Sequence, residues 1–174
     1  NLYPKTWANV GTMSTKGIEF TINATPVKKN KFSWDLTFLF DYHRNTVKSL
    51  SNDYYKLESR IIGEIGPPGV DAKTHIYEAG KPIGNIYGLV YERLDSAGKW
   101  VFRDYNEKAD TVGGNPSNGK ITNDDRTIIG NGVPKYYLGL NNTFHYGNFD
   151  LSIMIRGLFG FQIINAKRIW HDNP

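Results

Sequence analysis

The chain contains no cysteine, which excludes disulfides, thiolate metal centres and cysteine nucleophiles together. No apolar run approaches the roughly 18 residues that a transmembrane helix needs, so a helical membrane protein is excluded as well. Strong charge of one sign is also missing: 21 Lys and Arg against 17 Asp and Glu leave +4, scattered along 174 residues. Nothing in that distribution supports nucleic-acid binding. Residues 1–5 show neither a starting Met nor an apolar leader core, so no targeting segment is read there. What the sequence has in abundance is aromatic side chains, with 4 Trp, 11 Tyr and 9 Phe making 14% of the chain. Together with 39% hydrophobic residues they are too many for a disordered polymer, and the length suits one domain. A membrane β-barrel stays open, because each of its strands needs only about 9–11 alternating residues.

Alternation is what the chain shows. Phe32, Trp34, Leu36, Phe38, Phe40 and Tyr42 alternate with Ser33, Asp35, Thr37, Leu39, Asp41 and His43, a period of two that only a strand has. Before them Ile18, Phe20, Ile22 and Ala24 alternate with Glu19, Thr21 and Asn23, and residues 26–31 read as a short polar hairpin connection. A second pair follows. Tyr136, Leu138, Leu140, Phe144 and Tyr146 alternate with polar neighbours, with Asn142 breaking the apolar face once. After the tight turn Gly147-Asn148, Phe149, Leu151, Ile153, Ile155, Gly157 and Phe159 alternate with Asp150, Ser152, Met154, Arg156 and Leu158. Strands are thus expected at about 17–25, 32–47, 136–146 and 149–164.

Residues 48–135 are too long for an ordinary connection and read as a folded excursion. Within it 86–93 and 99–105 look like strands around Asp95-Ser96-Ala97-Gly98, while 65–69 and 113–119 read as turn and coil. The alternating faces also suit a soluble, secreted β-sandwich that binds carbohydrate. Three features favour an all-β antiparallel transmembrane barrel segment with a long extracellular loop. The apolar faces end in aromatics, the opposite faces are polar, and short turns lie at one end against the long loop at the other.

Several stretches form an ordered series of motifs. They are Asn9-Val10-Gly11-Thr12-Met13 with Lys16-Gly17-Ile18-Glu19-Phe20, and Glu78-Ala79-Gly80-Lys81-Pro82-Ile83-Gly84 with Tyr87-Gly88. Asp125-Arg126, Ile129-Gly130, Pro134, Tyr137-Leu138-Gly139-Leu140-Asn141-Asn142 and Phe144-His145-Tyr146-Gly147-Asn148-Phe149-Asp150-Leu151-Ser152 continue the series in order. The series resembles the SusC/RagA family of TonB-dependent outer-membrane transporters, from whose usual residues Ser14-Thr15 and Gly147 depart. The resemblance implies an internal piece, from the later part, of a large barrel whose plug and remaining strands lie outside these 174 residues. It further implies TonB-driven import of oligosaccharides or peptides across the outer membrane of a Gram-negative, Bacteroidetes-type bacterium. A SusD-like surface lipoprotein would be a partner, TonB would engage through an N-terminal region not present here, and neither cofactor, metal nor catalysis is implied.

On that reading Glu19, Thr21, Asn23, Asp35, Thr37, Asp41, His43, Asn141, Thr143, His145 and Arg156 face the lumen and offer hydrogen bonds to a hydrated solute. Phe32, Trp34, Leu36, Phe38, Phe40, Leu138, Leu140, Phe144, Leu151, Ile153 and Ile155 face outer-membrane lipid. Tyr54, Tyr55, Tyr77, Tyr87, Tyr91, Trp100 and Tyr105 in the loop either meet substrate or partner or pack the excursion. His43, His75, His145 and His171 show no metal-ligand spacing, and Asp104, Asp110, Asp124 and Asp125 read as turn-capping carboxylates. The sequons at Asn23 and Asn141 fall mid-strand and read as polar lining rather than glycosylation sites. The glycines at 113–119 lack the Lys-Ser/Thr ending of a phosphate loop.

Overall fold

The computed structural model describes residues 9–65, 73–105 and 121–171. Where the period of two is longest, the chain forms its longest strands: β1 (Thr12–Lys29) and β2 (Phe32–Ser49). Six short strands follow in the excursion: β3 (Ser59–Glu64), β4 (Lys73–Glu78), β5 (Asn85–Gly88), β6 (Tyr91–Leu94), β7 (Trp100–Phe102) and β8 (Thr127–Asn131). The second long pair is β9 (Tyr136–Tyr146) and β10 (Phe149–Phe159), and a short helix α1 (Ala166–His171) comes last.

β1, β2, β9 and β10 make one antiparallel sheet in the order β1-β2-β9-β10, so the two hairpins join edge to edge through β2 and β9. That arrangement corrects the sandwich alternative, which needs the hairpins stacked face to face. The register aligns the alternation across all four strands: Ile22 lies opposite Phe38, Phe38 opposite Leu140, and Leu140 opposite Ile155. One face of the sheet is therefore apolar and the other polar over its whole width. Both outer edges, on β1 and β10, are unpaired among the described residues.

Four strand limits differ from the sequence expectation: β1 starts at Thr12 rather than 17 and β2 ends at Ser49 rather than 47, and two further ends have a visible cause. β1 runs past 25 to Lys29, because a bulge between Ala24 and Val27 sets two residues, Thr25 and Pro26, against Asp35 alone. The bulge is where a proline, with no N–H to give the ladder, fits inside a strand. The turn thereby shrinks from 26–31 to Asn30-Lys31, with Asn30 at a left-handed φ of 49°. β10 ends at Phe159 rather than 164, as the chain swings away at Gly160 (φ 76°) and Lys135 N donates to Phe159 O at 2.9 Å.

The excursion folds as two small sheets, β3-β4-β5-β8 and β6-β7. The expected strand 86–93 is two strands in different sheets: β5 pairs with β4 and β8, whereas β6 pairs with β7. The chain leaves one sheet at Gly88 and enters the other at Tyr91. Most of 65–69 and all of 113–119, with Asp110, lie outside the described residues.

A backbone clamp fastens the excursion to the end of β2. Val47 N donates to Lys81 O (3.0 Å), Gly80 N to Val47 O (2.8 Å) and Ile83 N to Asn45 O (3.0 Å), around a bridge between Thr46 and Pro82. Val47, Ile76 and Ile86 form the only buried apolar side chains among the described residues, so the small core sits under this clamp. Gly84 closes it. Its φ of 77° suits glycine, and an added Cβ would lie 2.5 Å from Val133 Cγ2. Replacing Gly84 with Ala should therefore cost about 1–3 kcal/mol of local stability. Amide hydrogen exchange would read this as faster exchange at Ile83 and Gly132, whose N–H bonds hold the clamp, with β9 unchanged. Unaltered exchange at those two amides would contradict the role given to Gly84.

Candidate functional site

The polar face carries a cross-strand hydrogen-bond lattice built by the register. Thr25 Oγ1 donates to Asp35 Oδ1 (2.6 Å), Thr37 Oγ1 to Asn23 Oδ1 (2.8 Å), and Ser152 Oγ to Asn141 Oδ1 (3.3 Å). His145 lies between two carboxylates, with Nδ1 2.5 Å from Asp150 and Nε2 3.5 Å from Asp35. Thr25, Asp35, His145 and Asp150 thus link all four long strands. Nearer the excursion His43 Nδ1 is 3.2 Å from Asp41 and its ring stacks on Tyr137, centroids 5.1 Å apart. Glu19 stands opposite Asp41, and an open recess of about 420 Å³ lies among Thr15, Glu19, Asp41, His43 and Asn45.

All eleven polar candidates share this face. Asn23, Asp35, Thr37, Asp41, His43, Asn141 and His145 are brought into hydrogen-bonded pairs, whereas Glu19, Thr21, Thr143 and Arg156 present side chains without a protein partner among the described residues. Among the described residues no group of His, Asp or Glu is arranged to hold a metal ion.

The opposite face is apolar from edge to edge. Phe20 stacks on Phe40 (5.1 Å) and Trp34 on Phe144 (5.9 Å), while Leu36, Phe38, Leu138, Leu140, Leu151, Ile153 and Ile155 fill the rows between. Phe32 stacks on Phe144 at the turn end, and Tyr42 meets Tyr136 at the other. Asn142, the one violation, accepts a hydrogen bond from Trp34 Nε1 at 3.1 Å. An indole N–H on an apolar face needs a partner, and the residue diagonally across supplies it. Alternation alone gives no sign of that pairing.

The loop aromatics divide by exposure. Asn52 Oδ1 accepts from the amides of Tyr54 (2.9 Å) and Tyr55 (2.8 Å), and this Asx turn leaves Tyr54 90% exposed. Asp95 Oδ1 holds the amides of Ala97 and Lys99 (2.8 Å each), forming the β6-β7 turn beside Trp100, which is 73% exposed, and Tyr91. Tyr77 and Tyr87 are half-buried. Tyr87 packs under the Arg126 guanidinium, 4.9 Å from its ring centre, and Arg126 also donates to the carbonyls of Lys73 and Tyr87. Tyr105 accepts from Arg103 (3.3 Å), a bond that raises the already high guanidinium pKa.

Asp125, fully buried, accepts from Thr122 N (2.7 Å) and Tyr105 N (2.9 Å). Asp125-Arg126 is therefore a structural staple gathering four segments of the excursion. Asn131 and Gln162 make a second junction that the sequence reading missed. Asn131 Nδ2 donates to Ile83 O and Asn85 Oδ1 (2.8 Å each), and Asn131 N donates to Gln162 Oε1 (2.8 Å).

A single-layer antiparallel sheet with one apolar and one polar face, turns at one end, a folded excursion at the other and two open edges is a section of barrel wall. The comparisons with known proteins agree. No family model matches the chain. TonB-dependent receptor P3 of Formosa agariphila is 30% identical over 163 residues, covering 90% of this chain and 16% of that protein. TonB-dependent receptor SusC of Bacteroides thetaiotaomicron is 29% identical over 153 residues, covering 85% of this chain and 14% of that protein. The structure of the RagAB peptide transporter matches in fold, with a TM-score of 0.60 at 16% identity, over 87% of this chain and 16% of that one. Over most of its length the chain is thus a segment similar to TonB-dependent receptors of the SusC/RagA type, and it spans about a sixth of the length of the curated relatives it matches.

The Trp34–Asn142 bond yields a prediction about the apolar face. Asn142→Leu alone should cost about 1–3 kcal/mol by orphaning the indole N–H, whereas Trp34→Phe with Asn142→Leu should recover most of that loss. Urea unfolding of the full-length transporter from lipid vesicles measures both. Equal losses in the single and double variants would argue against the pairing.

Proposed function

We propose that this segment forms part of the wall of an importer that carries oligosaccharides or peptides across the outer membrane, driven through TonB and working with a SusD-like surface lipoprotein. The observation that carries the reading is the separation of the sheet into two continuous faces. The apolar face, Phe32 through Ile155, meets lipid, and the polar face, Glu19 through Arg156, lines the lumen. Donors and acceptors left open at Glu19, Thr21, Thr143 and Arg156 suit passage of a hydrated solute, while the paired residues stiffen the wall. The excursion stands on the extracellular side, and its outward aromatics Tyr54, Tyr55, Tyr91 and Trp100 supply stacking surfaces for sugar rings or for the lipoprotein. Tyr77 and Tyr87 support the excursion from within, and Tyr105, exposed beside Arg103, belongs with the outward aromatics.

Two experiments test the reading. In a membrane-assembly assay of the full-length transporter, Leu36→Arg and Ile153→Arg should each cost about 2–4 kcal/mol, while Thr37→Arg inserts normally. Equal tolerance of all three would remove the assignment of faces. Uptake of labelled oligosaccharides and peptides by cells carrying the transporter should depend on TonB, and a lipoprotein should co-purify in detergent. Uptake indifferent to TonB loss would overturn the energised-import reading.

A further inference from the structure

At the turn edge of the sheet the two hairpin tips lie side by side. Gly147 N donates to Lys31 O at 3.0 Å, and a groove of about 600 Å³ runs between the tips, walled by Lys28, Lys31, Phe32, Tyr146 and Phe149. Three lysines fall within four positions here, a local exception to the scattered charge of the chain. Lys28 stands opposite Ser33 on the polar face, Lys29 opposite Phe32 on the apolar face, and Lys31 in the turn. All three are exposed, and none has an acidic partner among the described residues. The nearest carboxylates along the strands are committed elsewhere: Asp35 to Thr25 and His145, and Asp150 to His145.

We propose that this edge is a lipid headgroup site, at which Lys29 and Lys31 hold the phosphates of anionic glycerophospholipids while Lys28, on the polar face, stays on the lumen side. The inference rests on the reading of the apolar face as lipid-facing. Three unneutralised cations alone would be content in water, but these stand level with the rings that end the apolar band. Tyr146 and Phe149, both largely exposed, and Phe32 occupy the depth at which aromatic rings meet headgroups. Lys29 is the telling residue. On the apolar face, its four-carbon stem lies along the aromatic band while the ammonium reaches the phosphate layer. The turns are the short ones, so the leaflet concerned is the periplasmic one. A lipid is favoured over an acidic protein segment because one lysine of the three sits on the face that turns to the bilayer.

The test uses the full-length transporter carrying this segment, in nanodiscs of phosphatidylcholine with a minor share of phosphatidylglycerol. Native mass spectrometry counts the phosphatidylglycerol retained per transporter. Affinity for that lipid should fall about fivefold for each lysine removed in the series K29Q and K29Q/K31Q, with phosphatidylcholine unaffected and K28Q, on the lumen side, close to wild type. The K29R/K31R variant should retain the lipid and serves as the folding control. Excess inorganic phosphate should not displace it; displacement would overturn a lipid source in favour of a free anion. Wild-type retention by K29Q/K31Q would overturn the proposal outright. A bimane label at Ile153→Cys separates the two failures. If brominated lipid chains do not quench it, the lipid-facing reading fails; if they quench it while phosphatidylglycerol is not enriched, the headgroup site alone fails.

Discussion

The ladder between β2 and β9 is the constraint on which the rest of this structure depends. Among the described residues it is the strand pairing that joins the two hairpins, and it sets Trp34 against Phe144, Phe38 against Leu140 and Tyr42 against Tyr136. Side chains in a strand alternate with a period of two, so a slip of one residue there would put Asp35 and Asp41 among the aromatics of the neighbouring strand. The two faces exist only because this register holds across all four strands. The polar lattice on one side and the ring stacks on the other reinforce the same choice, since Thr25, Asp35, His145 and Asp150 meet only in that alignment.

The sheet has almost no interior of its own. Its large side chains lie on an open face, and the buried apolar residues among those described, Val47 at the end of β2 with Ile76 and Ile86, sit at the joint with the excursion. A soluble protein hides such a face against a second layer, whereas a barrel wall hands it to lipid. The open edges of β1 and β10 fit the same logic, because closing a sheet into a barrel is the way to leave no edge.

The excursion obeys different rules. It is held by polar groups at particular points: the buried Asp125 carboxylate, the Arg126 guanidinium over Tyr87, and the Asn131–Gln162 exchange. Each satisfies backbone groups that short, irregular strands leave unpaired. The motifs that resemble the transporter family in this region are thus mostly joints. Gly80 to Gly84 clamps the end of β2, and Asp125-Arg126 gathers the segments that carry Tyr87 and Tyr105.

Sequence by itself determined the four long strands, their two faces and the tight turn at Gly147, because alternation is a local property that needs no partner to be legible. It also marked Asp125 as a capping carboxylate. Tertiary structure alone decided the order β1-β2-β9-β10, the strand through Pro26, the split of 86–93 between two sheets and the partnership of Trp34 with Asn142. These depend on which segments, distant in the chain, come to lie side by side. The division among the loop aromatics has the same origin: Tyr54 and Tyr87 are alike as residues, and only the Asx turn beneath one and the guanidinium above the other set them apart.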